Sequence, residues 1–314
     1  MMNSFDIPIL FLVFNRLDTT QLVFEEIRKI APLKLYIASD GPRDNREGEN
    51  KKVESVRNFI IQSIDWNCEI KTLFRDENLG CGKAVSGAIT WFFKNEEMGI
   101  ILEDDCLPSK SFFLYCKELL EKYKDDTRIF HIAGNNPLTV TKTEYSYYFA
   151  RIQHCWGWAS WKRAWDHYSY NITDLDNFIS KKIINKIFHN NNYKKYWINI
   201  FLQMSNHEID TWDYQWTYTI FKNNGLCINP SLNLISNIGF NDDATHTVDN
   251  GSIFNNQKRY EIITIKHPSK IKVNEKSVQN INEMLFGLTR KNIFKLFISF
   301  LFIIIRLIKR FILK

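Results

Sequence analysis

Residues 99–105 read Gly-Ile-Ile-Leu-Glu-Asp-Asp, so three consecutive carboxylates follow directly on an apolar run. A short apolar run of this kind is typical of a strand buried on both faces of a parallel sheet. Adjacent carboxylates repel one another, and a nearby cation relieves that repulsion. Hard divalent ions prefer oxygen ligands and leave places for phosphate oxygens and water. The stretch predicts a strand that ends in a metal site, or else an acidic turn before a helix.

The chain around this stretch alternates between apolar runs and amphipathic segments up to about residue 135. Strands are predicted at residues 7–14, 33–38, 69–74, 99–102 and 129–133. Helices are predicted between them, at residues 18–30, 51–64, 80–94 and 109–123. Alternation at this spacing predicts an α/β fold with a mainly parallel, doubly wound sheet flanked by helices.

The loops after the first four predicted strands carry the candidate binding residues. Ligands bind doubly wound sheets outside the carboxyl ends of the strands, so these loops are expected at one edge. The candidates are Asn15-Arg16, Asp40, then Arg75, Asn78, Gly80 and Lys83 of the third loop, and finally the acidic triplet Glu103, Asp104 and Asp105. Four strand ends that agree are stronger evidence for an active site than any single motif.

Each of these candidates also has a simpler interpretation. Asp40 suits a carboxylate that accepts from a ribose hydroxyl or a base N–H, but Asp-Gly-Pro is also a common turn. Arg16 could hold a phosphate or the base. The third loop places glycines and a cation at a helix start, where backbone N–H groups favour anions. Its spacing is not that of a Walker loop.

The composition narrows the class of protein. Hydrophobic residues make up 45% and aromatic residues 15% of the 314 residues, which indicates a globular protein. The six cysteines form no CxxC pair, so a zinc site is not expected. The chain opens without a recognisable secretory signal, so free thiols in a reducing cytosol are expected.

The charge is concentrated at the end of the chain. Residues 290–314 hold seven of the 41 Lys and Arg residues and no acid, which leaves 34 cations against 35 acids elsewhere. The body is therefore close to neutral, which argues against nucleic acid as a partner. Residues 296–305 read LFISFLFIII, too short a run to span a bilayer, which takes about twenty residues.

The tail, residues 290–314, is expected to form a basic amphipathic helix on an anionic membrane surface. A tilted span with snorkelling ends and a helix buried in an oligomer are the alternatives. The first interpretation places the protein in the cytoplasm, peripheral on the inner face of the cell membrane.

The order of these pieces resembles GT-A glycosyltransferases, particularly the inverting N-acetylglucosaminyltransferase I type and bacterial transferases that build surface polysaccharide. The similar segments span about residues 5–245. They are Asn15-Arg16 and Ser39-Asp40-Gly41, LEDDCLP at 102–108 followed by Phe112-Phe113, CWGW at 155–158, and Trp212-Asp213 leading to CINP at 227–230. The resemblance implies a GT-A, Rossmann-like fold, a nucleotide-diphosphate-sugar donor and Mn²⁺ or Mg²⁺ as cofactor.

The resemblance also implies roles for individual residues. Asp105 would touch the metal, with Asp104 and Glu103 supporting it and meeting the ribose. His246 would close the metal site, although a lone His is more often a surface residue. An inverting transfer needs a carboxylate base. The family carries two adjacent carboxylates between tryptophans, whereas the sequence here is WDYQW at 212–216.

Asp213 is therefore the predicted base, with Asp210 and Glu208 as reserves. An N-cap role is the simpler interpretation of Asp213. Among the nine tryptophans, those at 156, 158 and 161 could form a sugar-stacking wall or a core cluster. The predicted wall is Trp156, Gly157, Trp158 and Trp212.

These observations predict an inverting, metal-dependent glycosyltransferase that moves a sugar, expected to be UDP-linked, onto a glycan or lipid-linked glycan in surface polysaccharide synthesis. The expected organisation is a catalytic domain at 1–250, with a nucleotide-sugar and metal half (1–138) and an acceptor half (139–250). An extension (251–289) and the membrane helix follow. A sugar-nucleotide nucleotidyltransferase is an alternative, although no Gly-rich loop lies near Arg16. A membrane-bound glycan-binding protein without activity is another.

Overall fold

The computed structural model describes residues 5–240 and 254–286. His246 and the predicted membrane helix of 290–314 lie outside the described residues. Within the described part, no helix combines the length and apolarity that crossing a membrane requires.

The strands and helices alternate in the first half as the sequence predicts. The strands are β1 (Ile9–Val13), β2 (Lys34–Ser39), β3 (Glu69–Phe74), β4 (Met98–Glu103), β5 (Cys106–Pro108), β6 (Ile129–Ala133), β7 (Tyr147–Ala150), β8 (Trp158–Trp161), β9 (Leu226–Pro230) and β10 (Ile235–Asn237). The helices are α1 (Leu17–Ile30), α2 (Glu49–Ser63), α3 (Gly80–Asn95), α4 (Lys110–Lys122), α5 (Lys162–Trp165), α6 (Leu175–Ser180), α7 (Ile184–Ile187), α8 (Asn191–Ser205), α9 (Asp213–Lys222) and α10 (Glu275–Phe286).

Eight strands form one mostly parallel sheet in the order β3-β2-β1-β4-β8-β6-β9-β7. The first four are parallel to one another, β6 and β9 run parallel to each other, and β8 and β7 pair antiparallel with their neighbours. The register sets Val13 beside Ser39 and Leu12 beside Glu103. The carboxyl ends of β1, β2 and β4 are therefore level, and the loops that follow them share one edge of the sheet.

Helices cover both faces of the sheet and bury its apolar side chains. One core packs α1, α2 and α4 against the sheet through residues such as Phe24, Ile60 and Leu119. A second core lies between the other face, α3 and α9, and contains Phe92 and Trp216. All five residues of β1 are buried. A strand buried on both faces has no alternating pattern, which explains its continuous apolar sequence.

The region after residue 140 is more ordered than its sequence suggests. It contributes β7, β8 and β9 to the main sheet, while β10 pairs antiparallel with β5. Helices α6 to α9 bury a separate aromatic cluster around Phe178, Trp197 and Phe201. Strands β7 and β8 have only four residues each, too few for periodicity to reveal them.

The C-terminal extension is fastened to the same body. The carboxylate of Glu261 accepts from the backbone N–H groups of Lys110 and Ser111, at 3.2 and 2.8 Å, at the start of α4. A carboxylate there satisfies donors that the helix leaves unpaired and interacts favourably with its dipole. Helix α10 packs through Val278 and Ile281 on residues of β7.

His131 of β6 is a structural histidine in the core. Its ring has no exposed surface and stacks on Trp158, with centroids 5.0 Å apart. Its Nε2 lies 3.0 Å from the carbonyl oxygen of His154, and Trp216 donates its indole N–H to Nδ1 at 3.2 Å. Since a carbonyl only accepts, Nε2 carries the proton and the ring is neutral. Burial lowers the pKa of His131 to about 3.

We predict that His131 makes folding stability depend on pH. The unfolded chain binds a proton near pH 6.5 whereas the folded chain does not, so stability is lost as the pH falls below about 6.5. Between pH 7 and pH 5 this loss amounts to about 2 kcal/mol. His131→Gln keeps a donor and an acceptor but cannot titrate. Urea unfolding of both proteins at both pH values should show that extra loss in the wild type alone. An equal pH dependence of the two proteins would contradict the assignment.

Candidate active site at the carboxyl ends of the strands

The acidic triplet leaves β4 at the shared edge and meets Arg16 there. The guanidinium Nη2 of Arg16 lies 2.5 Å from Oδ1 of Asp104 and 2.9 Å from Oδ2 of Asp105. Asp104 also accepts from the backbone N–H of Phe14 at 3.2 Å. Burial lowers the pKa of Arg16, but attraction to the two carboxylates outweighs it and raises that pKa overall. Arg16 is therefore a fixed cation of the site.

One guanidinium does not balance three carboxylates. Burial and then repulsion from Asp105 and Asp104 raise the pKa of Glu103 to about 8. Burial also raises the pKa of Asp104, although Arg16 acts in the opposite direction. Two unit charges about 4 Å apart interact by about 4 kcal/mol at an effective dielectric constant of 20. A pKa of about 8 leaves Glu103 mainly protonated at pH 7, so the remaining negative charge lies on Asp104 and Asp105, which face one guanidinium and would be stabilised by a further cation.

The first cavity lies between the ends of β1, β2 and α3 and has a volume of about 290 Å³. Small and apolar side chains, including Leu12, Ala38 and Ala88, form one part of its lining. Polar side chains form the rest. They include the predicted Arg16, Asp40, Arg75, Asn78, Glu103 and Asp104, together with the backbone of Gly80. A narrow apolar slot beside arginines suits a flat base joined to an anionic group.

Asp40 closes the amino end of α3. Its carboxylate accepts from the backbone N–H groups of Leu79, at 2.9 Å, and Gly80, at 3.2 Å. Burial raises the pKa of Asp40, although these bonds lower it. The side chain thus caps α3, a role that the sequence did not predict, and it also lines the first cavity. Each carboxylate oxygen can accept more than one hydrogen bond, so capping leaves room for a ligand.

A second carboxylate, Asp210, reaches the same helix end from a distant part of the chain. It accepts from the backbone N–H of Gly82 at 2.9 Å and lines the first cavity. Gly80 has φ +78°, and a Cβ there would lie 2.7 Å from Oδ2 of Asp210. Both constraints require glycine. The first N–H groups of α3, predicted to face an anion, therefore donate to carboxylates of the chain itself.

Arginines hold the loops around the first cavity. Arg57 of α2 donates to the carbonyl oxygens of Asp40 and Arg75, at 2.9 and 2.6 Å, and so ties the ends of β2 and β3 together. Arg43 pairs with the buried Glu49 and stands over the ring of Phe14 at 5.5 Å. These contacts fix the wall of the cavity rather than its reactive centre.

Arg75 is the arginine of this cavity best placed for a ligand. Burial lowers the pKa of Arg75, while the charge of Asp40 acts against that change. Among the described residues, no side-chain hydrogen bond is found for its guanidinium. A half-buried guanidinium without such a bond suits an anionic or carbonyl oxygen from a ligand.

The second cavity, of about 560 Å³, lies on the other side of the triplet. The two cavities share Arg16, Cys81 and Glu103 in their linings. Asp213, at the start of α9, lines the second cavity and accepts from the hydroxyl of Thr211 at 2.5 Å. Asp105 lines it as well. The acidic triplet therefore stands where two cavities of different character meet.

The structure places two of the four residues of the predicted sugar wall on the second cavity. Trp156 and Trp212 line the second cavity. Trp158 and Gly157 are buried and are not part of its lining. Trp158 has no exposed surface, because its ring is stacked between Trp212 and His131. Trp161 also belongs to the core and donates its indole N–H to the backbone of α4.

The structure separates the remaining predicted residues from this centre. Lys83 is exposed on α3 and lines neither cavity. Glu208 is exposed and accepts from Asn206, and it also lies outside both linings. His246 lies outside the described residues. Of the three carboxylates considered as base, Asp213 lines the second cavity with Glu103 and Asp105, and Asp210 lines the first cavity with Glu103 and Asp104.

Several lining residues were not predicted from the sequence. Arg43 directly follows the Asp-Gly-Pro sequence at the end of β2, so its position after a strand could have marked it as a lining residue. Asn135, Gln153 and His154 line the second cavity, yet no motif marks them. Gln153 and His154 directly precede the CWGW segment, which was considered only for its tryptophans.

Oxygen ligands for a divalent ion are present, but the described residues do not form a complete metal site. Asp105 presents a carboxylate to the second cavity, pairs with Arg16 through Oδ2 and accepts from the thiol of Cys106 at 3.4 Å through Oδ1. No three His, Cys, Asp or Glu side chains within the described ranges are placed to hold an ion by themselves. A carboxylate completed by phosphate oxygens and water fits the way Mg²⁺ is usually bound.

Comparison with known proteins finds partial structural likeness. No protein-family model matches the chain, and no curated protein does. The mannosyltransferase PcManGT from Pyrobaculum calidifontis, solved with GDP-Man and Mn²⁺, aligns with a TM-score of 0.34 at 13% identity over 51% of this chain and 45% of that chain. The glycosyltransferase GlyE of Streptococcus pneumoniae TIGR4 gives 0.34 at 10% identity over 69% and 43%.

The inositol-1-phosphate CTP transferase from T. maritima gives 0.32 at 13% identity over 52% of this chain and 74% of that chain. The present chain thus spans less than half the length of the two glycosyltransferases. A specific likeness to the N-acetylglucosaminyltransferase I type is not shown. Similarity at this level is too low to bear on the reaction.

Proposed function

We propose that the protein is a metal-dependent, inverting glycosyltransferase that moves a sugar from a nucleoside-diphosphate donor, UDP-linked, onto a glycan or lipid-linked glycan in surface polysaccharide synthesis. The observation that carries the proposal is the position of the acidic triplet between two cavities. The first suits a nucleotide, and the second holds aromatic rings and a further carboxylate.

The first cavity would bind the nucleoside. Its small apolar residues leave a slot for the base, and Asp40 and Asn78 are available for ring or ribose groups. The guanidinium of Arg75 would bind an oxygen of the nucleotide. The shared position of Arg16 would then place the diphosphate at the junction, where its charge is opposed by a guanidinium.

The acidic triplet supports binding of Mn²⁺ or Mg²⁺ at the same junction. Asp105 would hold the ion, and Glu103 and Asp104 would add negative potential around it. An ion bound there neutralises the charge that builds up on a departing nucleoside diphosphate. Arg16 contributes to the same end because its cation already lies at the junction.

Asp213 would act as the base on the acceptor side. It lies in the second cavity with Asp105, and Thr211 holds one of its oxygens through a hydrogen bond. In an inverting transfer, a carboxylate takes the proton of the acceptor hydroxyl while that oxygen attacks the anomeric carbon from the face opposite the leaving group. The separation of Asp213 from the nucleotide cavity supports this role.

The charge of the second cavity argues against nucleotidyl transfer. That reaction needs a site for a sugar phosphate, which carries negative charge. The second cavity contains the carboxylates of Asp105 and Asp213 besides Glu103, and among the described lining residues Arg16 is its only Lys or Arg. A neutral hydroxyl-bearing acceptor suits such a lining better than a phosphate does.

We predict that Asp105→Asn abolishes the Mn²⁺-dependent part of UDP binding. Asparagine keeps the shape of the side chain but removes the charge that attracts the ion, so affinity for UDP in the presence of Mn²⁺ should fall at least about tenfold. Isothermal titration calorimetry of UDP with and without Mn²⁺ measures this. Asp125→Asn, which removes an exposed carboxylate far from the cavities, is the control. Unchanged Mn²⁺ dependence in a folded Asp105→Asn protein would exclude the proposed metal site.

We predict that Asp213→Asn retains UDP binding but lowers the rate of sugar transfer about 10²- to 10⁴-fold, the usual contribution of a general base. The rate is followed as UDP release from the most active member of a nucleotide-sugar panel. Glu208→Gln alters an exposed carboxylate outside both cavities and should keep the wild-type rate. If Glu208→Gln is the slow variant and Asp213→Asn is not, the base lies elsewhere.

We also propose that residues 290–314 hold the protein on an anionic membrane surface at the cytoplasmic face. Seven cations without an acid, flanking a short apolar run, support this. A chain ending at residue 289 should no longer sediment with vesicles that contain phosphatidylserine, whereas the full chain should. Vesicles of phosphatidylcholine alone are the control. Sedimentation of the shortened chain to the same extent would contradict the proposal.

A further inference from the structure

Three buried polar side chains of the second cavity have atoms without a hydrogen-bond partner. They are Asn135, Gln153 and His154, with 4%, 6% and 7% of their surface exposed. The unpartnered atoms are Oδ1 of Asn135, Oε1 of Gln153 and Nε2 of His154. All three residues line the same cavity. Leaving a buried polar group unpaired costs about 1–3 kcal/mol. Three of the ten such atoms among the described residues belong to residues that line this cavity, which favours a polar ligand there.

The chain holds two of these groups in fixed positions. The amide nitrogen of Gln153 donates to the carbonyl oxygen of Asp213 at 3.4 Å and to the hydroxyl of Thr217 at 3.3 Å. This leaves Oε1 of Gln153 as an acceptor. The backbone carbonyl of His154 is held by the ring of His131. Burial lowers the pKa of His154 to about 4, so its ring is neutral and has one donor and one acceptor nitrogen.

The unpartnered groups and the other lining residues together define which kind of ligand fits the second cavity. The two amide oxygens require hydrogen-bond donors. A neutral imidazole nitrogen can donate to a hydroxyl group or accept from one, depending on the tautomer. The carboxylates of Asp105 and Asp213 line the same cavity with one guanidinium, that of Arg16, and this excess of negative charge disfavours a further anion there. The aromatic rings of Trp156 and Trp212 add flat apolar surface. Hydroxyl groups on a neutral, partly apolar ring satisfy all these conditions.

We propose that Asn135, Gln153 and His154 form a hydroxyl-binding subsite for a neutral sugar, and that this subsite excludes uronic acids and phosphorylated sugars. The proposal rests on the glycosyl-transfer function and adds the class of sugar that occupies the second cavity. Gln153 also connects this subsite to the proposed base, because its amide group binds the backbone of Asp213.

Methyl glycosides test the subsite without a nucleotide. Saturation-transfer difference NMR on the full chain measures binding of the methyl glycosides of glucose, galactose, mannose and N-acetylglucosamine, and of methyl glucuronide. At least one neutral glycoside should bind, and the glucuronide should bind at least about tenfold more weakly than the matching glucoside. Absence of binding by every neutral glycoside, or equal binding of glucoside and glucuronide, overturns the proposal.

A matched pair of variants assigns the binding to the subsite. Gln153→Met removes the unpartnered Oε1 together with its amide and should weaken binding of the neutral glycoside about tenfold, the effect of one lost hydrogen bond in a buried site. Gln215→Met is the control, since Gln215 is also buried, binds a nearby backbone carbonyl and has a free Oε1, but lines neither cavity. It should bind as the wild type does.

Asn135→Ala provides a second test that leaves the contacts of α9 unchanged, and circular dichroism verifies folding of each variant. Wild-type glycoside binding by both folded variants would overturn the subsite. A failure of the subsite proposal is distinguishable from a failure of the proposed function. Glycoside binding without any UDP binding would refute nucleotide-sugar transfer and keep the subsite, whereas UDP binding with unaltered glycoside binding in the variants would refute the subsite alone.

Discussion

The contact of Arg16 with Asp104 and Asp105 is the interaction on which the site depends. It links the end of β1 to the end of β4, and it supplies the only fixed cation beside three buried or half-buried carboxylates among the described residues. The single charge of Arg16 does not offset the cost of burying the acidic groups, so burial raises the pKa of Glu103 and of Asp104 although Arg16 opposes that change. A site that retains negative charge next to a guanidinium favours a ligand with both a cation and an anion, as a metal-bound diphosphate has.

The carboxyl ends of β1, β2 and β4 are level, so other polar loops lie beside this contact and together they form a site. Because β1 pairs with β2 on one side and β4 on the other, the loops that carry Arg16, Asp40 and the acidic triplet start from the same edge. The pairing of β10 with β5 then brings Gly239 against the ion pair, where a Cβ would lie 2.2 Å from Oδ2 of Asp105. Close packing on that side leaves the ion pair accessible from the two cavities.

The sequence was most informative where function depends on neighbouring residues in the chain. The triplet and the loops after β1, β2 and β3 lie at one edge as predicted, because strand ends can be read from apolar runs and turn residues. Trp158 shows the limit. Trp158 was predicted from its CWGW segment as part of a sugar wall, but a sequence does not reveal which ring faces a cavity. Asn135, Gln153 and His154 lacked any signal, since a buried unpartnered atom is a property of the packing around it.

By itself, the sequence determined the α/β alternation, the parallel first half of the sheet and the acidic edge. Those features follow from hydrophobic periodicity and from residues a few positions apart. Only the tertiary structure decided that Arg16 meets Asp104 across 88 positions and that Asp210 meets Gly82 across 128. Which carboxylates share a cavity, and which polar atoms remain without a partner, depends on how the second half of the chain folds back over the strand ends. Burial and distance set those energies, and neither is encoded in any short stretch of residues.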